Sequence, residues 1–307
     1  MTQVQDAPDT MTMACLEVWG GNEPVDTALR VPGLEVWVYA VPFGNSQAGG
    51  DVHFVSSCGT GRIARLMVAD VSGHGAEVAG IARSLRGLIH RFMNHVDQRR
   101  FIRAMNRDFI KLGKEGRFAT AVVMTFFSPT SEMNFCNAGH PPPLVYQRTT
   151  GQWRYVEGAD DVRDGNLPLG ITGDVTYGQF KVDLRPGDLV VCYTDSLVEA
   201  VCRDGSLLGY PRLLELVRTI SADEPAHWIH HLLAKMAVLG ATPNDDVTLL
   251  LTHCTGHSHG AGLLGRLRAL LKFTGQVLTL RRNIPWPEVS AKTISGAVPP
   301  FWKKRRN

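Results

Sequence analysis

Asp51, Asp70, Asp195 and the pair Asp245–Asp246 share one local setting. Each stands where an apolar, strand-like run meets a glycine or a turn. Asp51 follows "AGG", Asp70 ends "RIARLMVAD", Asp195 ends "DLVVCYTD", and Asp245 and Asp246 open "DDVTLLL". A carboxylate at a strand end can point into a cleft shared with other strand ends. Several that converge repel one another and have raised pKa values unless a cation offsets their charge. An all-oxygen donor set of this kind suits a hard divalent ion, Mg2+ or Mn2+. Ordinary turn and capping aspartates have the same spacing, so the pattern alone leaves both readings open. In "LMVADVSGHGAEVAG" (66–80), Gly73 and Gly75 bracket His74 just after Asp70, making a turn able to approach a ligand closely.

The elements that would position these residues are legible in outline. Short runs rich in Val, Phe, Tyr and Thr alternate with Gly, Pro, Asn or Asp: "LEVWVYAV", "DVHFVSS", "FATAVVMTFF", "MNFCNAG", "PLVYQ", "VTYGQFKVDL". "TTGQW" (149–153) and "RPGD" (185–188) read as hairpin-type turns. Helical periodicity falls in two blocks. Ile81, Leu85, Leu88, Ile89 and Phe92 mark 76–96, with 97–112 following; Leu213, Leu214, Leu216 and Val217, then Trp228, Ile229, Leu232 and Leu233, mark 207–220 and 223–239. Many antiparallel strands with two separate helical pairs predict a layered α+β domain, sheets inside and helices outside.

Bulk properties bound the function. The 307 residues are 44% hydrophobic and 20% charged, which is the composition of an ordinary globular protein with a large core. Cys15, Cys58, Cys136, Cys192, Cys202 and Cys254 are scattered without a CxxC, which argues for reduced thiols and a cytoplasmic protein rather than a disulfide framework or zinc ribbon. The polar start "MTQVQDAPDT" predicts no signal peptide, and no apolar run is long enough to span a bilayer.

Taken in order, "GGD", "ADVSGHG", "NAGHPPPLV", "LPLG", "PGDLVVCYTDSLVEA" and "NDDVTLLL" resemble the metal-dependent PPM-type serine/threonine phosphatases, most closely their bacterial SpoIIE-like branch. The resemblance covers about residues 34–252. It implies an α/β/β/α sandwich of two antiparallel sheets flanked by helical pairs, with two Mn2+ or Mg2+ ions at one edge. It also implies that Asp70 bridges both metals and that Val71 binds one through its backbone carbonyl. Asp51 would then ligate one metal and Asp195 and Asp245 the other, with Asp246 the lesser candidate. The implied reaction is in-line attack of water on a phosphoserine or phosphothreonine. The substrate implied is a phosphorylated anti-anti-sigma (STAS) type regulator in partner-switching signalling. The domains expected are a lead-in at 1–30, the phosphatase domain at 31–254 and a basic tail at 255–307. No sensor, receiver or membrane domain is evident beside them.

Three details depart from the family or sit beside it. "VHF" follows "GGD" where relatives carry two aromatics and another Asp. Ser196 stands where relatives have Gly, which would cost about 1 kcal/mol if that position needed positive φ. These two departures motivate the alternative, a catalytically silent phosphatase-fold scaffold or binding protein. His74 is a candidate proton donor, in place of a histidine that some relatives carry two residues after the bridging Asp; the other reading has it fixing the turn. Asn137 and His140 are expected to brace a tight turn. His253, Cys254, His257 and His259 lack zinc spacing and read as a polar hinge.

The charge is uneven. Residues 255–307 hold ten Lys or Arg and one acid, net +9, while residues 1–254 hold 22 bases and 28 acids, net −6. "GLLGRLRALLKF" (262–273) gathers its leucines on one helical face with Arg266, Arg268 and Lys272 outside it. That amphipathic pattern favours docking on protein, with contact to an anionic membrane the lesser reading. The few, proline-flanked aromatics do not suggest a nucleic-acid platform.

Overall fold

Alternation of side chains along each strand decides the architecture. In the computed structural model, which describes residues 10–13, 17–58, 61–73, 76–92, 97–112, 116–156 and 167–256, nearly every central strand buries both faces. A strand buried on both sides must lie between two layers.

The first half of the chain forms β1 (Thr10–Thr12), β2 (Val18–Gly21), β3 (Val25–Val31), β4 (Leu34–Val41), β5 (Asp51–Ser57) and β6 (Ile63–Val71). The helical pair α1 (Ala76–Phe92) and α2 (Gln98–Leu112) follows. Next come β7 (Ala119–Phe127), β8 (Glu132–Ala138), β9 (Leu144–Gln147) and β10 (Gln152–Tyr155). The chain continues through β11 (Phe180–Asp183), β12 (Leu189–Tyr193), the second pair α3 (Gly209–Arg218) and α4 (Pro225–Val238), and β13 (Val247–Cys254).

Among the described residues these strands make two sheets, β1-β3-β4-β13-β12-β9-β10 and β11-β8-β7-β6-β5-β2. All pairings between strands are antiparallel except β1 with β3. Leu66 and Val68 on β6 and Leu250 on β13 fill the space between the sheets. Met67, Ala69 and Val71 turn outward under α1 and α2, beside Leu85, Ile89 and Met105. Leu249 and Leu251 turn outward under α3 and α4, against Leu213, Trp228 and Leu232. The expected α/β/β/α sandwich of two sheets flanked by helical pairs is therefore the observed fold.

Two sequence expectations are revised. "RPGD" is a turn, with the Asp188 amide donating to the Arg185 carbonyl at 2.9 Å and Gly187 at φ 93°, but it closes no hairpin. It carries the chain from β11 in one sheet to β12 in the other. The described part of the N-terminal segment is also no loose lead-in. β3 pairs along its whole length with β4, and Met13 and Leu29 are buried in the inter-sheet core, so the sheets start well before residue 31. Residues 257–307, with the expected amphipathic helix, lie outside the described residues.

Candidate active site

β5 begins and β6 ends at the same edge of the sandwich, where Asp51 and Asp70 are direct cross-strand partners. By the period-two rule both side chains share the inter-sheet face with Val55, Leu66 and Val68. The facing sheet contributes its own strand ends there: β12 ends at Tyr193, two residues before Asp195, and β13 starts directly after Asp245 and Asp246. Four strand ends thus bring five carboxylates to one edge.

Their electrostatics show that they meet. Burial, then the Asp195, Asp245, Asp246 and Glu199 charges, push the Asp70 carboxyl up to about 7. Burial and Asp70 hold Asp51 well above the usual carboxylate range, and hydrogen bonds from Thr248 and Thr194 only partly oppose them. Asp195 is raised by burial, Glu199 and Asp245. Every influence on Asp70 opposes ionisation, so the cluster is short of positive charge.

The surrounding residues hold the carboxylates in place. Thr194 Oγ1 donates to Asp51 Oδ2 at 2.9 Å and accepts from the Thr248 amide at 3.0 Å, locking the end of β12 to the start of β5 across the sheets. Asp246 accepts from the Phe43 amide at 2.6 Å and the Gly50 amide at 2.5 Å. Its carboxylate is thereby occupied with backbone, whereas Asp245 is exposed and turned to its own chain, accepting from the Asp246 amide at 2.8 Å. A Cβ at Gly49 would lie 2.3 Å from Asp246 Oδ2, and one at Gly50 would lie 3.1 Å from the Val71 carbonyl oxygen. The two glycines of "GGD" are therefore spatial requirements of this edge.

The turn after Val71 is braced by its neighbours. The Ser72 amide donates to the Phe118 carbonyl at 2.9 Å, the Phe118 amide donates to Ser72 Oγ at 3.1 Å, and Arg117 Nη1 donates to the Ser72 carbonyl at 3.2 Å. Gly73 has φ 105° and lies so close to Arg117 that a Cβ would meet Nη1 at 2.7 Å. His74 lies outside the described residues.

The remaining candidates resolve as follows. Ser196 sits in a short 3-10 turn, and among the described residues the only non-glycine with positive φ is Ser131, so the strain expected from Ser196 is absent. In the "VHF" segment Val52 and Phe54 belong to the core under α1 and α2, and His53 is buried with its pKa lowered by burial to about 4. His140 is braced as expected: its amide donates to Asn137 Oδ1 at 2.7 Å, Asn137 Nδ2 donates to its carbonyl at 2.8 Å, and its Nδ1 lies 2.9 Å from Thr120 Oγ1. Burial pushes that imidazole down to about 3, so it stays neutral. His253 lies 3.3 Å from Glu35 and against the Trp37 ring, and Cys254 is buried; His257 and His259 lie outside the described residues.

Thr194, Asp246 and Glu199 are contributions that sequence reading missed or ranked low. Their only sequence signals are a Thr just before Asp195, the second Asp of a doublet, and an acid four residues after Asp195.

As donors, four carboxylates and one backbone carbonyl present only hard oxygens, and their mutual repulsion is what a divalent cation relieves. Among the described residues no group of three or more His, Cys, Asp or Glu side chains is arranged as a finished cation cage. The donor chemistry nevertheless fits a Mg2+ or Mn2+ pair.

Two stacked sheets between helical pairs, with carboxylates at one edge, define the PPM-type phosphatase class. Residues 60–255 match Stage II sporulation protein E (SpoIIE), and the chain belongs to that family. It is 24% identical over 222 residues to the phosphoserine phosphatase RsbU of Bacillus subtilis (strain 168), covering 71% of this chain and 62% of RsbU. The solved RsbU and RsbW domains of Rv1364c from Mycobacterium tuberculosis superpose with a TM-score of 0.62 at 28% identity, over 77% of this chain and 64% of that one. The chain thus spans less than two thirds of the length of either relative. RsbX, solved in complex with magnesium, shares the fold at a TM-score of 0.55 and 15% identity, over 75% of this chain and 99% of RsbX.

Proposed function

We propose that this protein hydrolyses phosphoserine or phosphothreonine in a protein regulator, with Mn2+ or Mg2+, as part of a partner-switching pathway. Asp51, Asp70, Asp195, Asp245 and the Val71 carbonyl are its metal ligands. The observation that carries the reading is the meeting of these carboxylates at one sheet edge, where burial first and then neighbouring carboxylates raise Asp51, Asp70 and Asp195. The magnesium in RsbX and the phosphoserine activity of RsbU support it by likeness. The paired phosphatase and RsbW domains of Rv1364c suggest a regulator of the anti-anti-sigma (STAS) type as substrate.

Within this reading the chain has three tasks. Asp70 pairs with Asp51 across β5 and β6 and feels the charges of Asp195 and Asp245 from the facing sheet, so it is the residue that would serve both ions. Thr194 and Asp246 fix Asp51 and the loop before it, which keeps the donor geometry from relaxing under repulsion. Gly73, with no Cβ, lets Arg117 pack against the turn that follows Val71. The ions, when bound, would lower the pKa of an attacking water and stabilise charge on the phosphoryl oxygens. His74 remains our candidate for protonating the leaving oxygen. Cys58, Cys136, Cys192, Cys202 and Cys254 form no disulfide among the described residues, which suits a reducing, cytoplasmic setting. The domain is 31–254 with the strands before it, and among the described residues no helix is long and apolar enough to cross a membrane.

The test is hydrolysis of para-nitrophenyl phosphate and of a phosphoserine peptide across a manganese titration. We expect activity that requires the metal and falls at least a hundredfold in Asp70→Asn, with the variant still folded by circular dichroism. Metal-independent turnover, or Asp70→Asn within a few-fold of wild type, would overturn the assignment. Metal binding without turnover of either substrate would favour the silent scaffold, an alternative that has lost its Ser196 argument.

A further inference from the structure

A cavity of about 350 Å3 opens beside Asp195, between the turn after β8 and the segment that runs from Asp195 into α3. Its wall is chemically divided. Pro141, Val198, Leu207 and Tyr210 give an apolar side, and Glu199 shares the acidic side with Asp195. Leu207 is 57% exposed and Tyr210 42%, unusual for large apolar side chains this near a polar cluster.

The wall is built rather than incidental. The Leu208 amide donates to the Ala200 carbonyl at 2.9 Å and the Gly209 amide to the Val198 carbonyl at 2.8 Å, so the 198–209 excursion is closed on itself. The Tyr210 ring is held edge-on by Tyr155 at 5.7 Å, and Tyr155 Oη donates to the Tyr210 carbonyl at 2.6 Å. Burial raises the pKa of the Tyr210 phenol, and the nearby Asp195 and Glu199 charges add to the rise. Glu199 is exposed and enters none of the ion pairs among the described residues.

We propose that this cavity is the pocket for a Lys or Arg side chain that flanks the phosphorylated residue of the protein substrate. An aliphatic stem with a cationic head matches the divided wall: the stem lies along Leu207, Val198 and Tyr210, and the head pairs with Glu199. Asp195, committed to the metals in the reading on which this inference rests, leaves Glu199 as the free anion. The pocket borders the reaction centre, so only a residue within a few positions of the phosphoserine can enter it while the phosphoryl group is at the carboxylate edge. Specificity then resides in a charge pair at the rim rather than at the metals.

The experiment uses the full chain with manganese and a panel of phosphoserine peptides. The peptides differ only at the positions flanking the phosphoserine, which carry Lys, Leu, Ala or Glu. We expect kcat/KM for the best Lys peptide to exceed that of its Ala counterpart about fivefold, the scale of a partly exposed ion pair. Glu199→Gln should bring that ratio to near unity, and Glu199→Lys should reverse it in favour of the Glu peptide. Leu207→Ser should raise KM for the Lys peptide more than for the Ala peptide. A flat panel, a preference for Leu over Lys, or a Lys preference that survives Glu199→Gln would overturn the pocket while leaving the phosphatase reading intact. Failure to hydrolyse any peptide or para-nitrophenyl phosphate would overturn that reading, and the pocket with it.

Discussion

Asp70 is held partly protonated near neutral pH in the metal-free protein, and this has a measurable consequence. Its folded-state pKa is about 7, above the unfolded value of roughly 3.9, so the folded state binds the extra proton. The stability this confers is complete at low pH and is lost as pH rises through about 7; Asp51 and Asp195, also raised, act in the same direction. Buried His53 and His140 act oppositely, but with depressed folded values their contribution is already present above roughly pH 6.5. Between about pH 6.5 and 8, chelator-treated protein should therefore lose about 1 kcal/mol through Asp70 alone, a Tm fall of roughly 2–4 °C. Saturating Mn2+ should reverse the loss, and Asp70→Asn should flatten the slope. A metal-free Tm that rises over that interval would contradict the account. At this scale the aspartates were legible in the sequence because turn glycines and apolar runs frame them. Whether Ser196 was strained was not, because its φ is set by the 3-10 turn that closes β12.

At the scale of elements, two glycines with the same name have opposite roles. Gly87 lies exposed in the middle of α1, where a Cβ would meet nothing within 4 Å. Gly49 precedes β5, where a Cβ would collide with both oxygens of Asp246, at 2.3 and 2.8 Å. Gly87→Ala should stabilise the protein by about 0.5–1 kcal/mol through helix propensity. Gly49→Ala should destabilise it by about 1–3 kcal/mol, since the displaced carboxylate leaves the Phe43 and Gly50 amides unpaired. It should also lower metal affinity, because Asp51 begins at that loop. Urea denaturation and a manganese titration on the two variants check both signs. Equal effects would mean that Asp246 relaxes freely and does not anchor this edge. Periodicity and turn chemistry showed where strands and helices lie, because those signals are local. The Thr194–Asp51 bond spans 143 residues and the Gly50–Asp246 bond 196, and no local pattern encodes them. The same limit explains "RPGD": its residues specify a tight turn, while the sheet that each flanking strand joins is decided by the core.

For the whole molecule, the charge division remains the strongest directional feature of the sequence. A segment of net +9 follows a body of net −6, and the cavity and carboxylate edge concentrate acids on that body. Opposite charges on one chain attract at an effective concentration far above that of a free partner. Exposed charges are screened over roughly 8 Å at physiological ionic strength, so the attraction should weaken with salt. The leucines at 263, 264, 267, 270 and 271 would supply a part that salt does not remove. Among the described residues the last strand of the two sheets ends at Cys254, so deleting residues 257–307 leaves every described strand in place. The truncated protein should therefore keep its metal-dependent turnover of para-nitrophenyl phosphate. Its turnover of a phosphorylated protein regulator should change, and by a larger factor at low salt than at high salt. If the truncated protein is insoluble, or inactive on both substrates, the tail is part of the fold. If it matches the full chain on both substrates at every salt concentration, the charge division has no part in the activity.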